Sequence, residues 1–62
     1  MNYSKAEANY NMSFNNGHFK QGKAYKYRYD KEEEKIFVTT EEGIEQDFIY
    51  SEFDMLFTFL KN

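Results

Sequence analysis

The residues whose types could support chemistry are few in this chain of 62 residues. His18 is the only histidine, and the chain has no cysteine. A hydrolase or a transferase needs a nucleophile, a base and an orienting group in one pocket. His18 lies beside an expected turn, and Ser51 suits the cap of an expected helical turn. The sequence therefore predicts a protein that has no catalytic residues and is not an enzyme.

The acidic run from Asp30 to Glu34 is the only stretch that resembles a metal site. It places carboxylates at alternate positions, as a calcium-binding loop does at its start. Lys35 stands where that loop needs a glycine, and no glutamate follows at the spacing of the bidentate ligand. We expect a solvated loop here, with no metal and no cofactor.

Charge is distributed unevenly along the chain, although the net charge is only −3. Residues 1–31 carry six Lys or Arg residues against two acids, whereas residues 32–62 carry two lysines against nine acids. In one interpretation the two halves pair across strands and leave a mixed, solvated surface. In the other, one face carries a single sign of charge and recognises a partner by it.

Six acids in the second half form the first candidate site. They cover an expected turn, a strand and a helix start: Glu41, Glu42, Glu45, Asp47, Glu52 and Asp54. Such a patch suits docking onto a basic, often nucleic-acid-binding, site of another protein, because complementary charge speeds association. The alternative is that these acids only keep an aromatic-rich small protein soluble.

Four cations in the first half form the competing candidate site: Lys20, Lys23, Lys26 and Arg28. Small barrels bind nucleic acid through basic and aromatic strands. Alternation along a strand, however, places the neighbouring tyrosines on the face opposite Lys26 and Arg28, and buried rings do not stack on bases. The net negative charge also opposes phosphate binding, so direct nucleic-acid binding is the second hypothesis.

The strand that must organise these sites is predicted over residues 23–29. Three tyrosines alternate there with Lys26 and Arg28, which places the rings on one face of the strand and the cations on the other. We expect the rest of the chain to fold against the tyrosine face. The predicted core consists of Tyr25, Tyr27, Phe37 or Val38, Phe48, Phe53 and Phe57.

Apolar alternation and turn residues predict the remaining elements. Further strands are expected over residues 10–15, 35–40, 44–50 and 57–60, with one short, 3₁₀-like helical turn across 51–56. Asn16-Gly17 predicts a two-residue hairpin turn that sets Phe14 opposite Phe19. Gly22 and Gly43 are expected to adopt positive φ in turns.

The first nine residues are only weakly patterned. Ser4 and Glu7 have the spacing of a capping box, so residues 1–9 are expected to be disordered or to form one helical turn. Size limits residues 1–62 to a single domain with a marginal core. No apolar run approaches the ~20 residues of a membrane span, and no secretion signal is evident. We expect a cytoplasmic protein without membrane contact, either a monomer or a small homo-oligomer.

The order of a strand, a glycine turn, a three-strand meander, one helical turn and a short last strand resembles that of an SH3-like barrel. Phe19-Lys20-Gln21-Gly22-Lys23-Ala24-Tyr25 resembles the opening common to such barrels. Glu42-Gly43 and Phe53-Asp54-Met55-Leu56-Phe57 resemble their middle turn and last helical turn. Over residues 18–60 the chain also looks like very short proteins encoded by phages and prophages of Gram-positive bacteria. The resemblance implies an all-β, five-stranded antiparallel barrel and carries over no functional residue.

On this resemblance, the acidic face belongs to a phage-encoded protein that binds a host protein, such as a nuclease or another defence protein, and inhibits or redirects it. A nucleic-acid-binding barrel is the alternative. An oligomeric structural component of a virion is a third hypothesis, which the aromatic excess permits. If charge is not the recognition principle, Tyr3, Tyr10 and Phe59 are the first candidates for an aromatic interface.

Overall fold

The computed structural model describes residues 4–60, which are mostly strand with one short helix. The elements follow one another as β1 (Ser4–Ala8), β2 (Met12–Phe14), β3 (Gly17–Phe19), β4 (Ala24–Asp30), β5 (Lys35–Thr39), β6 (Glu45–Phe48), α1 (Tyr50–Leu56) and β7 (Phe57–Phe59). The predicted β-rich class, with a single short helix before the last strand, is confirmed.

Five strands form one antiparallel sheet in the order β6-β5-β4-β1-β7, and β2 and β3 form a separate hairpin. The strands β4, β5 and β6 are the predicted meander, and β7 returns to pair with β1. In a closed barrel the two edge strands of the sheet pair with each other. Within residues 4–60 no pairing joins β6 to the three-residue β7, so the sheet does not close into the predicted barrel.

The prediction for the start of the chain is wrong from Ser4 onward. Residues 4–8 are neither disordered nor helical but form β1, which lies between β4 and β7 in the sheet. Ala6 and Ala8 are completely buried on it, whereas Lys5 is exposed. Alanine is a poor strand former, so the alternation was hidden in the sequence. The first three residues lie outside the described part of the chain.

The alternation along β4 separates its tyrosines from its cations, as the sequence predicts. Paired residues share a face of a sheet, and Tyr27 pairs with Val38 whereas Arg28 pairs with Phe37. The tyrosines therefore lie on the inner face, with the core, and the cations on the outer face. The buried core comprises Ala6, Ala8, Phe19, Tyr25, Ile36, Val38, Phe48, Phe53 and Phe57.

Most of the predicted core is confirmed. Of the two alternatives, Val38 is buried, whereas Phe37 lies on the outer face and is only half-buried. Tyr27 is also half-buried, and it packs against Phe53 with ring centroids 4.9 Å apart. Phe19, which the predicted core omits, is almost fully buried and makes an edge-to-face contact with Tyr25 at 4.8 Å.

The hairpin of β2 and β3 is present, but its register differs from the prediction. Phe14 pairs with Gly17, so the turn residues are Asn15 and Asn16 and not Asn16 and Gly17. Gly17 has φ of 139°, and a Cβ atom there would collide with Thr40 and Glu42. Both the positive φ and the close approach of this neighbouring segment require glycine at position 17.

The helix α1 begins at Tyr50, one residue before the prediction, and it is a seven-residue α-helix and not the predicted 3₁₀-like turn. Its N-cap is Ile49, whose backbone N–H donates to the Glu52 carboxylate at 3.2 Å. The expectation that Ser51 caps the helix is therefore wrong, because Ser51 already lies inside the first turn. The helix covers the inner face of the sheet with the fully buried Phe53.

Candidate binding site

The outer face of the five-stranded sheet carries both signs of charge. The residues that the register places there include Lys5, Glu7, Lys26, Arg28, Asp30, Lys35, Glu45 and Asp47. Cations and acids are equally represented among these eight residues. The first interpretation of the charge asymmetry, in which the two halves of the chain pair across strands, therefore describes this face.

Arg28 and Glu45 join the two candidate sites on the outer face. Arg28 donates from Nε and from Nη2 to the two oxygens of Glu45, and both distances are 2.8 Å. Its guanidinium also lies 4.4 Å from the centre of the Phe37 ring. This ion pair lowers the pKa of Glu45 below its ordinary value.

Asp47 is paired in the same way with the cation beside it. The Lys35 ammonium lies 3.1 Å from Asp47, which lowers the pKa of Asp47 and raises that of Lys35. Glu33 and Glu52 add weaker electrostatic support to Lys35. Glu33 and Glu52 therefore lie close enough to the Lys35–Asp47 pair to interact with it electrostatically.

Glu41 belongs to a hydrogen-bonded network around Tyr25. The backbone N–H of Lys20 donates to the Tyr25 hydroxyl at 2.7 Å, and that hydroxyl donates to Glu41 at 2.6 Å. The ammonium of Lys23 lies 2.7 Å from the same carboxylate and is the main reason that the pKa of Glu41 is lowered. Burial of Tyr25, together with the bond to Glu41, raises the pKa of the phenol.

Glu42 fastens the hairpin of β2 and β3 to the turn between β5 and β6. Its carboxylate accepts from the backbone N–H of His18 at 2.8 Å and contacts Nδ1 of the same residue at 2.5 Å. The backbone contact is the main reason that the pKa of Glu42 is lowered. His18 is thus a structural partner of Glu42 in this arrangement.

Many residues of both predicted charged sites therefore form contacts within the protein itself. Four of the six acids accept from neighbouring side chains, and Glu52 accepts from the helix N-cap, whereas Asp54 is exposed on α1. Of the four cations, Lys23 and Arg28 belong to these ion pairs. Lys20 is exposed in the loop between β3 and β4, and Lys26 is exposed on β4. The two sites are interleaved with each other.

An aromatic cleft on the inner face of the sheet has room for part of another molecule. It has a volume of about 470 Å³ and is lined by Tyr27, Tyr29, Glu34, Ile36, Tyr50 and Phe59. Ligand sites commonly have a similar size and a mostly apolar lining with few polar groups. Here the polar groups are three tyrosine hydroxyls and one carboxylate.

The register explains why the cleft forms at this end of the inner face. Tyr29 pairs with Ile36, two residues along β4 from the pair of the half-buried Tyr27 and the buried Val38. The hairpin of β2 and β3 covers the opposite end, where Phe19 packs on Tyr25. Beyond Tyr27 the inner face continues as an apolar surface, with α1 and β7 as its walls.

The exposed rings of the cleft distinguish it from the core. Tyr29, Tyr50 and Phe59 are 56%, 58% and 44% exposed. Tyr27 connects them to the core, because its ring lies 5.8 Å from Phe59 and 4.9 Å from the buried Phe53. Contacts with Phe53 and Phe59 thus hold the Tyr27 ring in place, while the rings of Tyr29, Tyr50 and Phe59 stay accessible.

Sequence reasoning found one member of this cleft and missed most of the others as a site. Phe59 was a candidate for an aromatic interface, and Tyr10, the second candidate, is exposed but lies outside the cleft. Tyr3 lies outside the described residues. The available signal was Tyr29, the last ring of an alternating run, where the core of a small sheet must end.

Neither a metal centre nor a membrane helix is found in the described part of the chain. Residues 4–60 contain no group of three or more His, Cys, Asp or Glu side chains that could hold a metal ion. Asp30 instead accepts from the backbone N–H groups of Glu32 and Glu33. No helix among these residues is long and apolar enough to cross a membrane.

Comparisons with known proteins add no family to this description. No family model, no curated protein and no solved structure matches the chain.

Proposed function

We propose that this protein is a small, non-catalytic binding module that holds a segment of another protein in the aromatic cleft. The observation that carries the proposal is the accessibility of Tyr29, Tyr50 and Phe59 around one apolar floor. Tyrosine supplies a large and rigid contact area with a polar tip. Exposed aromatic patches on small proteins commonly mark interaction surfaces.

Charge supports a basic partner. The net charge is −3, and the loop between β4 and β5 carries Glu32, Glu33 and Glu34, of which Glu34 lines the cleft. In this proposal the six acids of the predicted acidic face steer a basic partner towards the protein, and the cleft makes the close contact. Long-range steering depends on the summed field, so it survives the pairing of individual acids.

In this proposal His18 has a structural role in the hairpin of β2 and β3. Ser13 lies directly across the hairpin from His18, and His18 contacts Glu42. The contact of His18 with Glu42 connects the hairpin to the turn between β5 and β6.

The wider assignment follows the sequence resemblance. In this proposal the fold is an open relative of the SH3-like barrel, because the meander, the helix and the last strand follow in that order. The protein is phage-encoded, and its partner is a cytoplasmic host protein with a basic surface, which binding inhibits or redirects. Nucleic-acid binding through the basic strand is the outcome that would replace this proposal.

A displayed library of random peptides tests the proposal. Peptides selected on the wild-type protein should lose binding to a Tyr29→Ser, Tyr50→Ser double variant. They should keep binding to Tyr10→Ser, because Tyr10 is equally exposed, at 54%, but lies outside the cleft. Failure to select any peptide, or equal binding by all three proteins, would overturn the assignment of the cleft.

A second arm separates the two function classes. Labelled single-stranded DNA and RNA should not bind the wild-type protein at physiological salt. Binding that falls steeply with salt and is lost on Lys23→Glu with Lys26→Glu would establish the nucleic-acid alternative instead.

A further inference from the structure

The lining of the aromatic cleft has the chemistry of a cation site. Four of its six residues are aromatic, and the faces of their rings carry negative electrostatic potential. A cation within about 6 Å of such a ring is attracted to it. The remaining two lining residues are Ile36, which is apolar, and Glu34, which is acidic, so the described lining supplies no cation of its own.

Glu34 is the acidic residue among the described residues that line the cleft. Its backbone adopts φ of 55°, in the left-handed region that non-glycine residues seldom occupy. The side chain is exposed, and among residues 4–60 it forms neither an ion pair nor a hydrogen bond. A carboxylate beside aromatic rings is thus available for a partner that the described chain does not provide.

Arginine is the cation that fits this combination best. The outer face of the same sheet already holds one, because Arg28 lies over the Phe37 ring and forms two hydrogen bonds with Glu45. A planar guanidinium stacks on rings, is weakly hydrated and forks onto a carboxylate, whereas the lysine ammonium does none of these as well. The cleft repeats the ring and the carboxylate without the arginine.

We infer that the aromatic cleft receives an arginine side chain of the partner protein, stacked on the tyrosine rings and paired with Glu34. This inference rests on the proposed function, since it names what the cleft recognises in a bound segment. The acidic β4–β5 loop favours the same occupant, because it repels an anionic segment and attracts a basic one. An entirely apolar occupant would leave the Glu34 carboxylate unused.

Three blocked tripeptides test the inference directly: acetyl-Ala-Arg-Ala-amide and the same peptide with citrulline or norleucine in place of arginine. Citrulline keeps the shape of arginine but removes its charge. Titration is followed by NMR through the ring resonances of the cleft. The arginine peptide should bind about tenfold more tightly than the citrulline peptide, and the norleucine peptide should bind no better than citrulline.

Matched variants assign the effect to the cleft. Glu34→Gln should bring the arginine and citrulline affinities close together, whereas Glu33→Gln, one residue away in the same loop, should leave their ratio unchanged. Tyr50→Phe should retain the preference for arginine and Tyr50→Leu should lose it, because only the former keeps the ring.

The outcomes distinguish this inference from the proposal beneath it. Equal affinity for the arginine and citrulline peptides, or no saturable shift with the arginine peptide, overturns the inference. The proposed binding function still stands if displayed peptides then bind the cleft without arginine. It fails separately if no displayed peptide depends on Tyr29 and Tyr50.

Discussion

Arg28 on β4 and Glu45 on β6 form a two-point ion pair across β5, with both hydrogen bonds at 2.8 Å. Each residue belongs to a different candidate site in the sequence, one basic and one acidic. Their pairing means that neither site presents its full charge to a partner. On the proposed function, recognition then depends more on the aromatic cleft, where rings are accessible and the Glu34 carboxylate is unpaired among the described residues.

The coupling between Arg28 and Glu45 should be measurable. The side chains of Arg28 and Glu45 are 25% and 32% exposed. A two-point ion pair also has better geometry than most surface pairs. In a double-mutant cycle with Arg28→Gln and Glu45→Gln, urea unfolding should give a coupling free energy of about 0.5–1 kcal/mol. Strictly additive effects would show that the pair does not stabilise the sheet.

Stability should fall in acid because of four paired carboxylates. The pKa values of Glu41, Glu42, Glu45 and Asp47 are lowered in the folded protein by Lys23, by the His18 backbone, by Arg28 and by Lys35. Lowered folded pKa values stabilise the protein above the ordinary carboxyl range, near 4.5 for glutamate, and this contribution disappears as the pH falls through the lowered values.

Urea midpoints measured between pH 7 and pH 2 should therefore be nearly constant at first and then decline below about pH 4.5. Glu45→Gln should flatten part of this decline, whereas Glu32→Gln, in the exposed loop, should not. A midpoint that rises on acidification would contradict the ion-pair arrangement.

Gly17 should tolerate substitution least among the three glycines. A Cβ atom at Gly17 would collide with Thr40 and Glu42, whereas one at Gly22 would meet open space, although Gly22 also has positive φ. We expect Gly17→Ala to cost about 2–3 kcal/mol through overpacking and Gly22→Ala about 1 kcal/mol through strain. Thermal unfolding of both variants decides the order, and the reverse order would mean that the hairpin does not pack on Thr40.

The core should respond to Phe53 far more than to its neighbour on α1. Phe53 is fully buried between rings of β4 and β7, whereas Met55 is 63% exposed. Phe53→Ala should lower the free energy of unfolding by ~3–5 kcal/mol, and Met55→Ala should change it by less than ~0.5 kcal/mol. A cooperative, wild-type-like melt of Phe53→Ala would show that the core lies elsewhere.

Several features of the fold could be predicted because strong local patterns specify them. The tyrosine alternation placed β4 within one residue, and Gly22 and Gly43 have the expected positive φ of 83° and 85°. The start of β1 could not be predicted, since alanines carry little strand signal and their burial depends on two distant neighbours. The register of the β2–β3 hairpin could not be predicted either, because it depends on the tertiary contact of Gly17 with Thr40.

The candidate site was harder to predict than the fold. Acidic residues outnumber basic ones in the sequence after Asp30, but their pairing depends on which strands become neighbours. The cleft is formed by Glu34 of the β4–β5 loop and by residues of β4, β5, α1 and β7, so no contiguous sequence motif predicts it. Among the lining residues only Phe59 was a candidate for an aromatic interface, although Tyr29 carried a usable signal as the last ring of the alternating run.

The most direct test of the central claim uses the three isoleucines as reporters. Ile36 lies in the floor of the cleft, whereas Ile44 is exposed on the turn between Glu42 and Glu45. With methyl-labelled isoleucine, a peptide selected for binding is titrated into the protein and followed by NMR. We predict a saturable shift of the Ile36 methyl resonance with Ile44 unchanged. Movement of Ile44 with Ile36 unchanged would place binding on the acidic turn and contradict the assignment to the cleft.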